Sequence, residues 1–218
     1  MNGAYYKFDK SLLTKEYQFV LTKRSIKTMY DFHSDRLKYL MEKIDRDGID
    51  KLHKYIFVDS DFCTAPASIK YHDNEPEGLI KHSLEVYDKL REYRDRLYLE
   101  NEIPEDSLII TSLFHDICKC NCYQPVMRWT KADGKWEQYQ SYEWNEETPF
   151  GGHGSKSVYI LQSFIPLKIE EAQAINCHMG FASEYDKRNI SDVFSHNPLA
   201  FYLHMADSEV VYSKEWIK

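Results

Sequence analysis

Between residues 79 and 97 the apolar side chains return at helical intervals, and a histidine returns with them. Leu79, Leu84, Val86, Tyr87, Leu90 and Tyr93 share one broad face, and His82 lies on that same face. A helix this long with so wide an apolar face has to be covered by other elements, and the chain supplies mainly more helices. Apolar spacing predicts helices over 26–44, 49–58, 155–164, 168–179 and 198–212. Pro104 followed by Glu105 and Asp106 marks another helix start, running through Leu108, Ile109, Leu113 and Phe114 into 115–119. With 8 glycines and 7 prolines in 218 residues, the backbone has few places to turn sharply, which disfavours a sandwich or barrel.

One segment breaks this pattern. Residues 126–129 and 136–144 are rich in aromatic and β-forming side chains, with Asp133-Gly134 between them. That dipeptide between two such runs predicts a β-hairpin, as an insertion over 124–146. Residues 61–77, with Pro66 and Pro76, read as irregular, and residues 1–25 as a short strand or an arm. The expected fold is all-α: a helical bundle with a small β-hairpin insertion. Residues 1–60 would form an N-terminal arm and helices packed on a body spanning 61–218.

A formal charge of −7 and the lack of a basic stripe argue against an extended nucleic-acid groove. They leave a phosphorylated small molecule open, because bound cations can reverse the field inside one pocket. The longest apolar run, 109–114, is far short of the roughly 20 residues a membrane span needs. Residues 1–10 have no apolar core of the signal-peptide kind. The expected setting is therefore cytoplasmic, without membrane contact and with reduced thiols. Of the five cysteines, Cys118, Cys120 and Cys122 crowd together at a spacing that fits no common zinc knuckle. They read as small, partly buried helix residues.

Six side chains are candidate metal ligands: His82, His115, Asp116, His153, His178 and Asp207. His115 and Asp116 end an apolar helix, where an unpaired carboxylate would be costly to bury. Asp116 therefore calls for a partner, either a metal ion or the ammonium of Lys119 one turn on. Any one of the histidines alone reads as an ordinary core or surface residue. Together, nitrogen and carboxylate donors suit divalent first-row metals.

The order of these residues resembles the HD superfamily of metal-dependent phosphohydrolases. Gly78-Leu79-Ile80-Lys81-His82-Ser83 is similar to that family's first-histidine segment, His115-Asp116-Ile117-Cys118-Lys119 to its HDxxK signature, and Asp207 to its distant aspartate. His153 and His178 between them resemble the binuclear branch. Ala65-Pro66-Ala67-Ser68-Ile69-Lys70-Tyr71-His72 resembles the stretch before the first ligand in bacterial 3′→5′ exoribonucleases that join an OB-fold to an HD domain. The first 60 residues leave no room for an OB-fold. The glycine- and proline-containing signature of cyclic-di-GMP phosphodiesterases does not follow His178.

The resemblance implies two divalent ions per chain (Mn, Fe, Co, Ni, Zn or Mg). His82, His115, Asp116 and Asp207 would hold the first, and Asp116 would bridge to a second completed by His153 and His178. It implies catalytic roles for Asp116 and Lys119, and substrate contacts from Lys70, His72 and Lys119. The expected partner is a small phosphorylated substrate, a nucleotide first of all, and the oligomeric state stays open. Two alternatives also stay open: a phosphodiesterase for cyclic nucleotides or short oligonucleotides, and a catalytically silent nucleotide-binding domain. For Lys119 the alternative is a structural helix-end cation.

Overall fold

A computed structural model describes residues 29–69, 73–145, 151–182 and 187–216. The arm expected over 1–25, and Lys70 and His72, lie outside the described residues. Among those described, eight α-helices and one two-stranded antiparallel sheet make up the regular structure. The helices are α1 (Met29–Met41), α2 (Ile49–Lys54), α3 (Gly78–Leu97), α4 (Glu105–Phe114), α5 (His153–Gln162), α6 (Ile169–Cys177), α7 (Lys187–His196) and α8 (Pro198–Trp216). The described residues are thus mostly helical with one hairpin, as the apolar periodicity and the Asp133-Gly134 signal between two β-forming runs imply. No helix among the described residues is long and apolar enough to cross a membrane.

The most enclosed helix is α4. Every residue from Ser107 to Phe114 is buried, which a helix apolar all round requires. Two of its buried hydroxyls are satisfied within the helix: that of Thr111 donates to the Ser107 carbonyl at 2.8 Å and that of Ser112 to Leu108 at 2.6 Å. Helices α3, α6 and α8 pack on α4, while α1 packs on α3 and α5 packs on α6. Leu37, Leu40 and Met41 from α1 share one core cluster with Leu79, Leu84, Leu113, Ile175 and Leu203, so residues from before position 60 are built into the main body.

Several boundaries differ from the sequence expectation, for identifiable reasons. Helix α1 stops at Met41, not at Ile44, because the next residues tighten into turns that bring Ile44 back into the core. After Lys54, α2 widens into a π-helical turn, Tyr55–Asp59. The helix predicted to run through 115–119 ends at Phe114, followed by a turn and a short 3-10 segment, Ile117–Lys119. Helix α7 was not expected. Its signal, Ile190, Val193 and Phe194 at helical spacing, is brief and set among polar residues.

The hairpin pairs β1 (Tyr123–Ala132) with β2 (Lys135–Trp144) in the register Tyr123↔Trp144 to Ala132↔Lys135. Asp133 and Gly134 both have positive φ, 48° and 81°, the type I′ turn whose twist matches the paired strands. At its root, Tyr123 and Trp144 pack edge to face with ring centroids 5.2 Å apart. Further out, Trp129 and Trp136 are exposed.

Charge pairs tie distant segments together. The Asp73 carboxylate is almost fully buried; it accepts from Lys81 at 2.8 Å on α3 and also from Lys214 near the end of α8. Burial alone would raise its pKa, but the two ammonium groups prevail and hold it below the ordinary carboxylate range. A folded-state pKa below the unfolded value contributes stability that is present above roughly pH 4 and lost as pH falls through the folded value. Urea midpoints measured from pH 6 downward should therefore drop through the acid limb. In Asp73→Asn the drop should be shallower and the neutral-pH midpoint lower; an unchanged acid limb would remove Asp73 from this role.

Candidate metal centre

Four elements bring donors to one buried point. His82 comes from the second turn of α3, His115 and Asp116 from the turn after α4, His178 from the end of α6, and Asp207 from the middle of α8. His82, His115 and His178 are fully enclosed, and the Asp116 and Asp207 side chains are 6% and 14% exposed. Nε2 of His82 lies 3.2 Å from Nε2 of His115 and 3.2 Å from Oδ1 of Asp207. Oδ2 of Asp116 lies 3.5 Å from Nε2 of His115 and 3.8 Å from that of His82, and its Oδ1 lies 3.6 Å from Nε2 of His178. The donor atoms of His82, His115 and Asp116 all lie within 4.8 Å of one another, as do those of His115, His178 and Asp207.

Local chain geometry aims these rings. His115 and His178 each occupy the position that closes a helix, where carbonyl oxygens lack intrahelical partners. Nδ1 of His115 lies 2.9 Å from the Ser112 carbonyl, and Nδ1 of His178 lies 2.7 Å from that of Ile175. A carbonyl only accepts, so Nδ1 carries the proton in both rings. In the neutral ring, Nε2 then presents a lone pair to the cluster. Burial lowers the His115 pKa to about 4, so this ring is neutral at physiological pH. Nε2 of His178 is buried and makes no hydrogen bond.

Asp116 adopts φ −107° and ψ 18°, the sparsely populated bridge region where many active-site residues sit. The break between α4 and the 3-10 segment thus points its carboxylate across the cluster. Burial would push its pKa up, but Lys119 and the histidines hold it well below the carboxylate range. Its Oδ2 accepts from Nζ of Lys119 at 2.7 Å. Burial would likewise discharge Lys119, and Asp116 keeps it cationic. The ion pair weighed as the structural alternative for Asp116 is therefore present, alongside the histidine cluster. For His178, burial favours the neutral ring, but the Asp116 carboxylate outweighs it and raises the pKa.

Three glycine and histidine contacts hold this arrangement. A Cβ on Gly154 would come within 2.4 Å of the Asn176 carbonyl oxygen, so glycine lets the start of α5 press on the end of α6, beside His178. After His178, Gly180 takes φ +55°, and a Cβ there would meet the His204 ring at 2.4 Å. His204 in turn donates Nδ1–H to the His178 carbonyl at 2.8 Å. His204 thus supports the turn that carries His178.

His153 stands apart. It is exposed at the first turn of α5, with Nδ1 3.7 Å from Sγ of Cys118 and its ring edge-on to Trp144 at 6.4 Å. It belongs to neither group of converging donors. The cysteines are free thiols, all buried; burial pushes that of Cys118 up to about 12. Cys118, Cys120 and Cys122 occupy the 3-10 segment and the turn after it, not a continuous helix.

A cavity of about 440 Å³ opens onto the cluster. Asp116, Lys119, His178 and Asp207 contribute to its lining, as do Met179, Phe181, Ser208, Val211 and Tyr212. The sequence reading missed this second group. No family model matches the chain, and no curated protein or solved structure does either.

Proposed function

We propose that this chain is an HD-type, metal-dependent phosphohydrolase that cleaves a phosphate ester or anhydride of a nucleotide or related small phosphorylated substrate. The observation that carries the reading is the pair of buried imidazoles, His115 and His178. Each donates Nδ1–H to a backbone carbonyl and turns Nε2 toward buried carboxylates. Metal-ligating histidines are typically held this way, with the outer nitrogen bonded to a carbonyl or carboxylate. The donor set also fits a cation by charge, since two carboxylates face three imidazoles in an enclosed site.

His82, His115, Asp116 and Asp207 would hold one divalent ion, and Asp116 with His178 would face a second, which His153, now outside the converging donors, would have to turn inward to complete. When bound, such ions lower the pKa of water toward ~7 and polarise phosphoryl oxygens. The protein's own contributions follow from the structure. The histidines must be neutral to ligate, and the Asp116 carboxylate favours the charged form of His178, so loading weakens at acid pH. Lys119 stays cationic at the cavity wall, where it can donate to a phosphoryl oxygen as charge builds there. The cavity falls in the size range of small-molecule sites, in keeping with a small phosphorylated substrate.

The direct test is metal analysis of the purified chain, with a screen of phosphomonoesters, phosphodiesters and anhydrides. About two divalent ions per chain and turnover of phosphorylated small molecules are expected. One ion, unaffected by His153→Ala, would remove the second site. Nucleotide binding without turnover on a fully loaded site would favour the silent reading. Cleavage confined to diesters would favour the phosphodiesterase.

Lys119→Ala separates chemistry from scaffolding. Loss of one preorganised charge contact typically costs ~3 kcal/mol, on the order of a hundredfold in kcat/KM. Metal content should be retained, because Lys119 is not a ligand. A variant with full activity and only a lower melting temperature would return Lys119 to a structural role.

A further inference from the structure

The cavity has two unlike halves. Its floor is the charged cluster with Lys119, and its wall includes Met179, Phe181, Val211 and Tyr212. Phe181 is 52% exposed and Tyr212 54%, although the adjoining ligands are buried. A single exposed aromatic needs no explanation. Two aromatics and a methionine lining one cavity beside a charged cluster form an apolar surface suited to a partner.

Both aromatics are tethered to ligands. Phe181 lies three residues beyond His178, on the turn that Gly180 makes possible. It is braced edge to face by Phe194 at 5.9 Å, and Phe194 stacks on His204, which holds the His178 carbonyl. Tyr212 lies on α8, little more than one turn past Asp207. The distance from each ring to the floor is therefore set by short, ordered backbone.

Resting on the phosphohydrolase reading above, the geometry points to a specificity role for these two rings. Phe181 and Tyr212 hold a planar, aromatic leaving-group portion of the substrate, such as a nucleobase, while its phosphate meets Lys119 and the cluster. Stacking suits this wall because any base offers a π-face, whereas apolar side chains give little to read a base edge by hydrogen bonding. The site should therefore prefer nucleotides over sugar phosphates while discriminating weakly among bases.

The test compares two probes carrying the same 5′-phosphate on ribose: adenosine 5′-monophosphate and ribose 5-phosphate. Both are assayed with the full chain loaded with Mn²⁺. Stacking on aromatic side chains predicts a KM roughly ten- to hundredfold lower for the nucleotide. Tyr212→Leu, which keeps an apolar side chain at an exposed position, should move the nucleotide KM toward that of ribose 5-phosphate with little change in kcat. Phe181→Leu should act the same way, and circular dichroism would check that its packing on Phe194 survives. Equal KM values for the two probes in the wild-type protein would overturn the inference and leave the phosphohydrolase reading intact. So would a KM ratio that neither variant changes. If the loaded chain hydrolyses neither probe, equilibrium dialysis decides. Selective retention of the nucleotide, lost in Tyr212→Leu, would support the aromatic site while the hydrolytic reading falls; equal retention of both would overturn the inference.

Discussion

Asp116→Ala is expected to abolish metal loading and turnover together. Asp116 is the residue whose two carboxylate oxygens face different histidines: Oδ1 lies near His178, and Oδ2 near His82 and His115. Removing it takes a donor from both sides of the cluster at once. Replacing a residue that only supports a ligand typically costs 10–100-fold in metal affinity. Loss of the shared ligand should exceed about a hundredfold. The fold should survive, because Asp116 sits in a turn past the end of α4 and contributes nothing to the apolar core. Its loss leaves the Lys119 ammonium without the carboxylate it pairs with, so a modest fall in melting temperature is expected. Asp116→Asn keeps the shape and removes the charge, and should load metal almost as poorly. Metal analysis and steady-state rates at limiting metal decide the matter. Near wild-type activity in either variant would sink the assignment.

How much of this site is legible in the sequence depends on how local its determinants are. His82 could be placed on the inner face of α3 because helical periodicity alone carries that information. Asp116 was suspect because a carboxylate after a wholly apolar run has to find a partner. The structure brings His82, His115, Asp116, His178 and Asp207 together and leaves His153 at the rim. Spacing could not show that difference, since it depends on how α5 sits against α6. The one local trace of that contact is Gly154, whose missing side chain admits the Asn176 carbonyl. The break after Phe114 was also hidden. No glycine or proline in 114–119 marks the interruption, which coincides with the pairing of Asp116 with Lys119. The aromatic wall was missed because Phe181 and Tyr212 are 31 residues apart in sequence. Each reads as ordinary until the turn after His178 and the middle of α8 meet at one cavity.

The largest stability effect is expected at Glu171, a residue that sequence gives no reason to notice. Its side chain is fully buried at the start of α6, yet it is charged. It is held by Arg46, whose guanidinium donates to Oε1 at 2.7 Å and to Oε2 at 3.1 Å, and by the Ser107 hydroxyl at 2.7 Å. Its Oε2 also accepts from the Lys168 backbone N–H at 2.8 Å, closing the first turn of α6. Arg46 reaches on to Asp106 at 2.6 Å and to the Pro166 carbonyl at 2.9 Å. One carboxylate thus joins the loop after α1, the start of α4 and the start of α6. The Arg46 pKa is raised above its ordinary value, chiefly by its hydrogen bond to Glu171. Breaking a buried pair from one side leaves an uncompensated charge, which typically costs 3–5 kcal/mol. Glu171→Ala should lose about that much, read from urea unfolding at pH 7. Removing both charges in an Arg46→Met, Glu171→Leu variant should lose less than Glu171→Ala alone, since the buried charge goes with its partner. Asp106 and Lys168 would still hold each other at 3.2 Å. If Glu171→Ala instead costs under about 1 kcal/mol, the pair behaves like a surface salt bridge. The clamp between α4 and α6, the helices that His115 and His178 close, would then have to lie in the apolar contacts of Ile109, Leu113, Ala174 and Ile175.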